Sequence, residues 1–283
     1  LWLPEREEPV PVAENVIRPG ESKAVLIMPG HEEIALRGEG SDTIREQGMS
    51  ILNEGAQVDY SQQGSRVEET VWHELRIPKG GEYRLRLSDS TMVYMNSDSR
   101  LRFPARFGKG TREVELEGEA YFEVTRDKQR PFVVRTPEVA VRVLGTGFNV
   151  MAYGDDARTE VTLVEGAVKV TGKRTSETLR PNEQFVWENA TGRHEVRTVD
   201  ARKYVEWKSG VLNFDAMPLD ELADRLSRWY NVEFFFSNDS LKRLRFSGAV
   251  RKYNDIDYIL RLIEATTDVT FNISGTTVVV SKK

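Results

Sequence analysis

At 283 residues the chain is longer than one ordinary domain and suits two. Its 39% hydrophobic and 30% charged residues fit a chain that buries a core, and a formal net charge of −5 argues against a nucleic-acid binder, which needs a basic footprint. Cysteine is absent, which excludes disulfides, thiol nucleophiles and zinc–thiolate sites together.

No run of about 18 apolar residues occurs, so no transmembrane helix is predicted. The chain opens at Leu1 with Pro4, Pro9, Pro11 and Pro19 set among glutamates. Residues 1–21 are therefore expected to be an extended linker that leads in from something upstream.

From residue 22 to 203 the dominant signal is alternation with a period of two, the mark of half-buried strands. Tyr83, Leu85 and Leu87 alternate with Arg84 and Arg86, and Thr91, Val93 and Met95 resume after Ser88-Asp89-Ser90. Adding 59 to Leu26, Met28, Ile34 and Leu36 lands on Leu85, Leu87, Val93 and Met95, so one hairpin echoes another. Similar units recur at Leu52–Ala56, Leu116–Ala120 and Leu163–Ala167 and are read as strand–turn–strand coils. The expected fold is mainly β: an elongated, solenoid-like two-sheet domain followed by a small α+β domain.

That second domain, expected over 204–283, begins where the period changes. Leu219, Leu222, Ala223, Leu226, Trp229 and Tyr230 share one helix face, with Pro218 suited to its first turn and Asn231 to its end. Residues 232–236 read as a buried strand. An offset of 37 then maps Leu219, Leu222, Leu226 and Phe234 onto Ile256, Ile259, Ile263 and Phe271, with Asn254 and Asp257 resembling a capping box. Two βαβ units and a last strand, Thr276–Ser281, are expected.

Chemistry is sparse. His31, His73 and His194 are far apart, and metal ligation needs at least three converging ligands. Leu144-Gly145-Thr146-Gly147 lacks the third glycine and the helix of a nucleotide loop. Glu119 and Glu123, four apart on a strand, are separated by roughly 13 Å at about 3.3 Å per residue, beyond the spacing of a glycosidase pair. No catalytic residue, metal or cofactor is expected. Trp72, Tyr83, Tyr94, Tyr121 and Phe122 leave a lectin-like, glycan-sensing module as the alternative function, although core packing accounts for alternating aromatics more simply.

Several longer strings carry a resemblance: Ile77–Tyr83, Leu87–Asn96, Val114–Val124, Pro131–Val134, Val143–Val150 and Thr162–Val170, in that order. Together they closely resemble FecR-type regulators, anti-sigma factors of Gram-negative bacteria. Trp207–Gly210, Pro218-Leu219 and Arg228–Tyr230 resemble that family's C-terminal domain, akin to the secretin/TonB short N-terminal fold. One departure is Ser90, where the family hairpin commonly has glycine.

The resemblance implies a periplasmic relay, held at the inner membrane by a single helix outside this chain. It implies that a TonB-dependent outer-membrane transporter offers its signalling domain to this region. An extracytoplasmic-function sigma factor is then freed from a cytoplasmic segment, often with a regulatory protease taking part. Strand addition to a sheet edge is one expected docking mode, at Thr276, Thr277, Val278, Val279, Val280 and Ser281, beside Lys282 and Lys283; the equal alternative is that Val278 to Val280 fill the domain's own sheet, and the two can coexist. The junction around Tyr204 and Trp207 is the other expected partner-binding place.

Overall fold

The computed structural model describes residues 17–283 except 31, 47 and 63–70. His31 and residues 1–16 of the expected linker thus lie outside the described residues. Among the described residues, eighteen strands make up the first region. They are β1 (Glu21–Ile27), β2 (Glu33–Arg37), β3 (Ser41–Glu46), β4 (Met49–Glu54), β5 (Gln57–Asp59) and β6 (Trp72–Ile77). There follow β7 (Gly81–Arg86), β8 (Met92–Met95), β9 (Ser99–Pro104), β10 (Arg112–Glu123), β11 (Phe132–Arg135) and β12 (Ala140–Val143). The last six are β13 (Gly147–Ala152), β14 (Arg158–Glu165), β15 (Val168–Thr171), β16 (Ser176–Leu179), β17 (Glu183–Glu188) and β18 (His194–Thr198).

Two long sheets enclose one core. The first runs β2-β1-β6-β9-β10-β11-β12-β15-β16. The second runs β3-β4-β5-β7-β8-β10-β13-β14-β17-β18. Strand β10 belongs to both. Its first half pairs with β9 and β11, its second with β8 and β13. Gly118, at φ +103, sits where it crosses, and a Cβ there would lie 2.4 Å from Ser99 Oγ. Only glycine tolerates both the left-handed backbone and the close approach. Gly55 and Gly166 do sit in turns, as expected, whereas Gly118 bends a continuous strand.

The echoed hairpins lie in opposite sheets: β1–β2 in the first, β7–β8 in the second. Leu26, Met28, Leu36, Leu85, Leu87, Val93 and Met95 all point into the shared core, and Ile34 packs on it half-buried. Tyr83, Tyr121 and Phe122 are buried too, so they offer no open ring to a sugar. His73 is buried, and its Nδ1 lies 2.7 Å from the Tyr60 hydroxyl.

The second region is β19 (Val211–Pro218), α1 (Leu219–Tyr230), β20 (Glu233–Phe236), α2 (Asp239–Lys242), β21 (Arg245–Arg251), α3 (Ile256–Ala265), β22 (Val269–Ser274) and β23 (Thr277–Lys282). Its core is separate from that of the first region. Leu219, Leu222 and Leu226 of α1 meet Ile256, Ile259 and Ile263 of α3, as the 37-residue repeat predicts. Asn231 ends α1 in the left-handed conformation at φ 52. Pro218 caps that helix from outside its first turn. Asp255, not Asn254, precedes α3, and no side chain caps it, so the capping box is not formed.

Strand–helix–strand occurs twice, but pairing runs between the units. β19 pairs with β21, and the other sheet is ordered β20-β23-β22. The last strand is therefore central. It is parallel to β20 on one side and antiparallel to β22 on the other. Strand addition at Thr276–Ser281 is thereby excluded, because both backbone edges are already used. Nor is residue 235 buried as the expected strand implied: Phe235 is 53% exposed.

Candidate functional site at the junction of the two regions

Helix α1 turns its apolar stripe inward and its charged stripe, Asp220, Glu221, Asp224, Arg225 and Arg228, toward the loop between β13 and β14. Arg228, its side chain 8% exposed, reaches across. Its Nη2 donates to Asp155 Oδ1 at 2.9 Å and to Asp156 Oδ1 at 2.5 Å. The guanidinium also lies 3.8 Å over the Tyr153 ring, a planar stack that lysine could not reproduce. Arg158 pairs with Glu221 nearby. The backbones meet as well, where the Gly80 N–H donates to the Arg228 carbonyl at 2.7 Å.

A second cation locks the other side. Lys252 follows β21, and its side chain is 1% exposed, with the ammonium paired with Glu82 of β7 and 4.1 Å above the Trp229 ring. Tyr253 donates to the other Glu82 oxygen at 2.8 Å. The Lys252 carbonyl is held from below by Trp229 Nε1 at 2.5 Å and the Tyr230 hydroxyl at 3.2 Å.

Two short 3₁₀ turns, Ala201–Tyr204 and Glu206–Ser209, connect the regions. Gly210, at φ +83, ends the second, and a Cβ on it would meet the Tyr253 ring at 2.5 Å. This turn plants Trp207 in the junction, 6% exposed. Its Nε1 donates to Asn149 Oδ1 at 3.2 Å, Asn149 donates to Glu119 at 2.8 Å, and Asn96 donates to the same carboxylate at 2.7 Å. Lys208 sits 4.2 Å over Tyr121 and 3.0 Å from Glu123. The carboxylates weighed as a glycosidase pair thus hold the junction instead.

A cleft of about 290 Å³ remains between the regions, walled by Tyr153, Trp207, Arg228, Trp229 and Lys252 with acids at its rim. Burial lifts the Asp156 carboxyl above its usual range, and the neighbouring Arg228 opposes that. Asp224 is pushed up to about 6 by burial first and then by Asp156, Asp155 and Asp220, with Arg228 opposing. Burial also depresses the Lys252 ammonium, against the pull of Glu82. Buried cations that each meet a carboxylate suit fastening better than reaction.

Of the residues expected to bind partners, Trp207 lines this cleft and half-buried Tyr204 lies beside it, while Thr276–Ser281 do not line it. Sequence reasoning missed Arg228, Lys252, Glu82 and Asp156. Their partnerships span 72 and 170 residues, and isolated charges on a helix or turn look like solvated surface.

Comparison with known proteins fits this two-part build. Residues 73–169 match the family described as FecR protein, and residues 211–280 match that described as FecR, C-terminal. Two crystal structures of a candidate anti-sigma factor from Parabacteroides distasonis ATCC 8503, at 1.65 Å and 2.50 Å resolution, are each 31% identical with a TM-score of 0.71. They cover 74% and 75% of this chain and 99% of their own. A search among curated proteins finds no match. Both modules and nearly the whole of a solved relative coincide with this sequence, and the chain belongs to the FecR family of anti-sigma factors.

Proposed function

We infer that this chain is the periplasmic relay of a membrane-anchored anti-sigma factor. It receives the signalling domain of a TonB-dependent outer-membrane transporter and, through a cytoplasmic segment, controls an extracytoplasmic-function sigma factor. A regulatory protease completes the release. The observation that carries the docking side is the state of the sheet edges in the C-terminal domain. Glu233 and Ser237 donate to Thr276 and Val280 of the β23 segment, each at 2.9 Å, so the alternate residues Phe234 and Phe236 turn their N–H and C=O groups outward. No described residue pairs with them. The opposite edge, β22, is partly taken, because the Phe271 N–H donates to Glu264 at 2.7 Å and the Val269 N–H to Thr267 at 3.4 Å. β20 is thus the edge that a strand of the transporter domain can extend, with Phe235 and Val279 offering an apolar face beside it.

Phe234→Pro removes one outward donor and no internal ladder bond, but also a ring packed on the domain's core, so circular dichroism must first show a native fold. Titrated calorimetrically with the signalling domain of a transporter encoded nearby, the native chain should bind and this variant should bind at least about tenfold more weakly, since a hydrogen bond and strand geometry are lost. Equal affinities would reject β20, and no binding by the native chain would reject the relay.

A further inference from the structure

Just ahead of β1, Ile17 and Gly20 touch the C-terminal domain and not only the region they lead into. Ile17 packs against the core of the C-terminal domain. Gly20 lies flat on the Trp229 ring, so closely that a Cβ there would be 2.6 Å from it. One residue on, the Glu21 N–H donates to the Gly80 carbonyl at 3.0 Å, and the Gly80 N–H donates to the Arg228 carbonyl at 2.7 Å. The lead-in is therefore held between the end of α1 and the turn joining β6 to β7. The end of α1 is itself fastened by Arg228 to Asp155 and Asp156, and Lys252 fastens the adjoining turn to Glu82.

These fastenings are mostly ion pairs, hydrogen bonds and cation–π contacts, with Tyr121, Val205 and Trp207 forming only a small apolar cluster at the junction, and each region keeps its own larger core. Interfaces of this kind between domains of one chain open readily. Opening would strip the lead-in of its wall, because Ile17 and Gly20 touch the C-terminal domain.

We propose that the C-terminal domain is a removable clamp on the chain's own lead-in: docked, it half-buries Ile17 and Gly20, and drawn away by a partner it exposes them fully to solvent and to proteolysis. The clamp's contacts all lie within the chain, so it does not depend on which partner does the pulling.

The test uses the full chain in three forms: native, Arg228→Ala combined with Lys252→Ala, and Gly20→Val. Amide exchange at Gly80 reports docking, and thermolysin cleavage on the amino side of Ile17 reports shielding. In the double variant both should rise by about a hundredfold, as loss of buried ion pairs implies. In Gly20→Val, whose side chain cannot fit against Trp229, cleavage should rise while circular dichroism stays native. Faster Gly80 exchange without faster cleavage in the double variant would overturn the clamp. So would native-like cleavage in Gly20→Val, which keeps the test open should the double variant fail to fold.

Discussion

Lys252 and Glu82 form a pair whose two members should respond unequally to removal. The lysine side chain is 1% exposed and the glutamate 18%. Replacing Glu82 by Gln leaves a buried ammonium facing Trp229 with only the unbonded Glu119 as counter-charge, a situation that costs about 3–5 kcal/mol. Lys252→Met loses the ion pair and a cation–π contact but also removes the cost of burying the ammonium. The glutamate left behind keeps the Tyr253 hydroxyl and reaches some water. That change should cost only about 1–3 kcal/mol. The double variant should resemble Lys252→Met, so the cycle is strongly non-additive. Exchange of the Gly80 amide, which bonds across the junction, reads each cost, about tenfold per 1.4 kcal/mol. A milder effect from Glu82→Gln than from Lys252→Met would refute the reasoning.

Leu226 is 1% exposed in the C-terminal core, and Leu226→Ala should destabilise that domain by about 2–5 kcal/mol in chemical denaturation. Ser90 is held at φ 67, and Ser90→Gly should raise the urea midpoint of the β region by the equivalent of about 0.5–1 kcal/mol, the left-handed penalty less the entropy that glycine loses. Burial lowers His73 to about 4 from its ordinary 6.5. Its folded pKa is depressed, so the β region should hold its stability above pH 6.5 and lose up to about 3 kcal/mol as pH falls toward 4. Denaturation curves across that window should show the loss, and His73→Gln should remove it.

Burial periodicity was legible because it is local. Tyr83, Leu85 and Leu87 had to face one way on any strand, and Leu219, Leu222 and Leu226 on any helix. The 37-residue repeat likewise carried the strand–helix–strand order. Strand order within a sheet was not legible, since it depends on which distant segments pair. Val278 and Val280 look the same in the sequence whether β23 closes a sheet or divides it. Gly118 matched Gly55 and Gly166 in its neighbours, yet a left-handed glycine serves a tight turn or a strand that changes sheets equally well. Tyr204 and Trp207 could be suspected only because the period changes there. Arg228 stands in a family string, but nothing in that string says that Asp156 awaits it across the junction.

In the proposed relay a partner is received by the C-terminal domain on the open edge of β20. Hydrogen exchange on the complex of this chain with a transporter signalling domain tests it most directly, amide by amide. New protection should appear at Phe234 and Phe236, with Val278 and Val280 unchanged because their strand is already paired on both sides. Protection confined to the β region, with Phe234 and Phe236 exchanging as in the free chain, would contradict it.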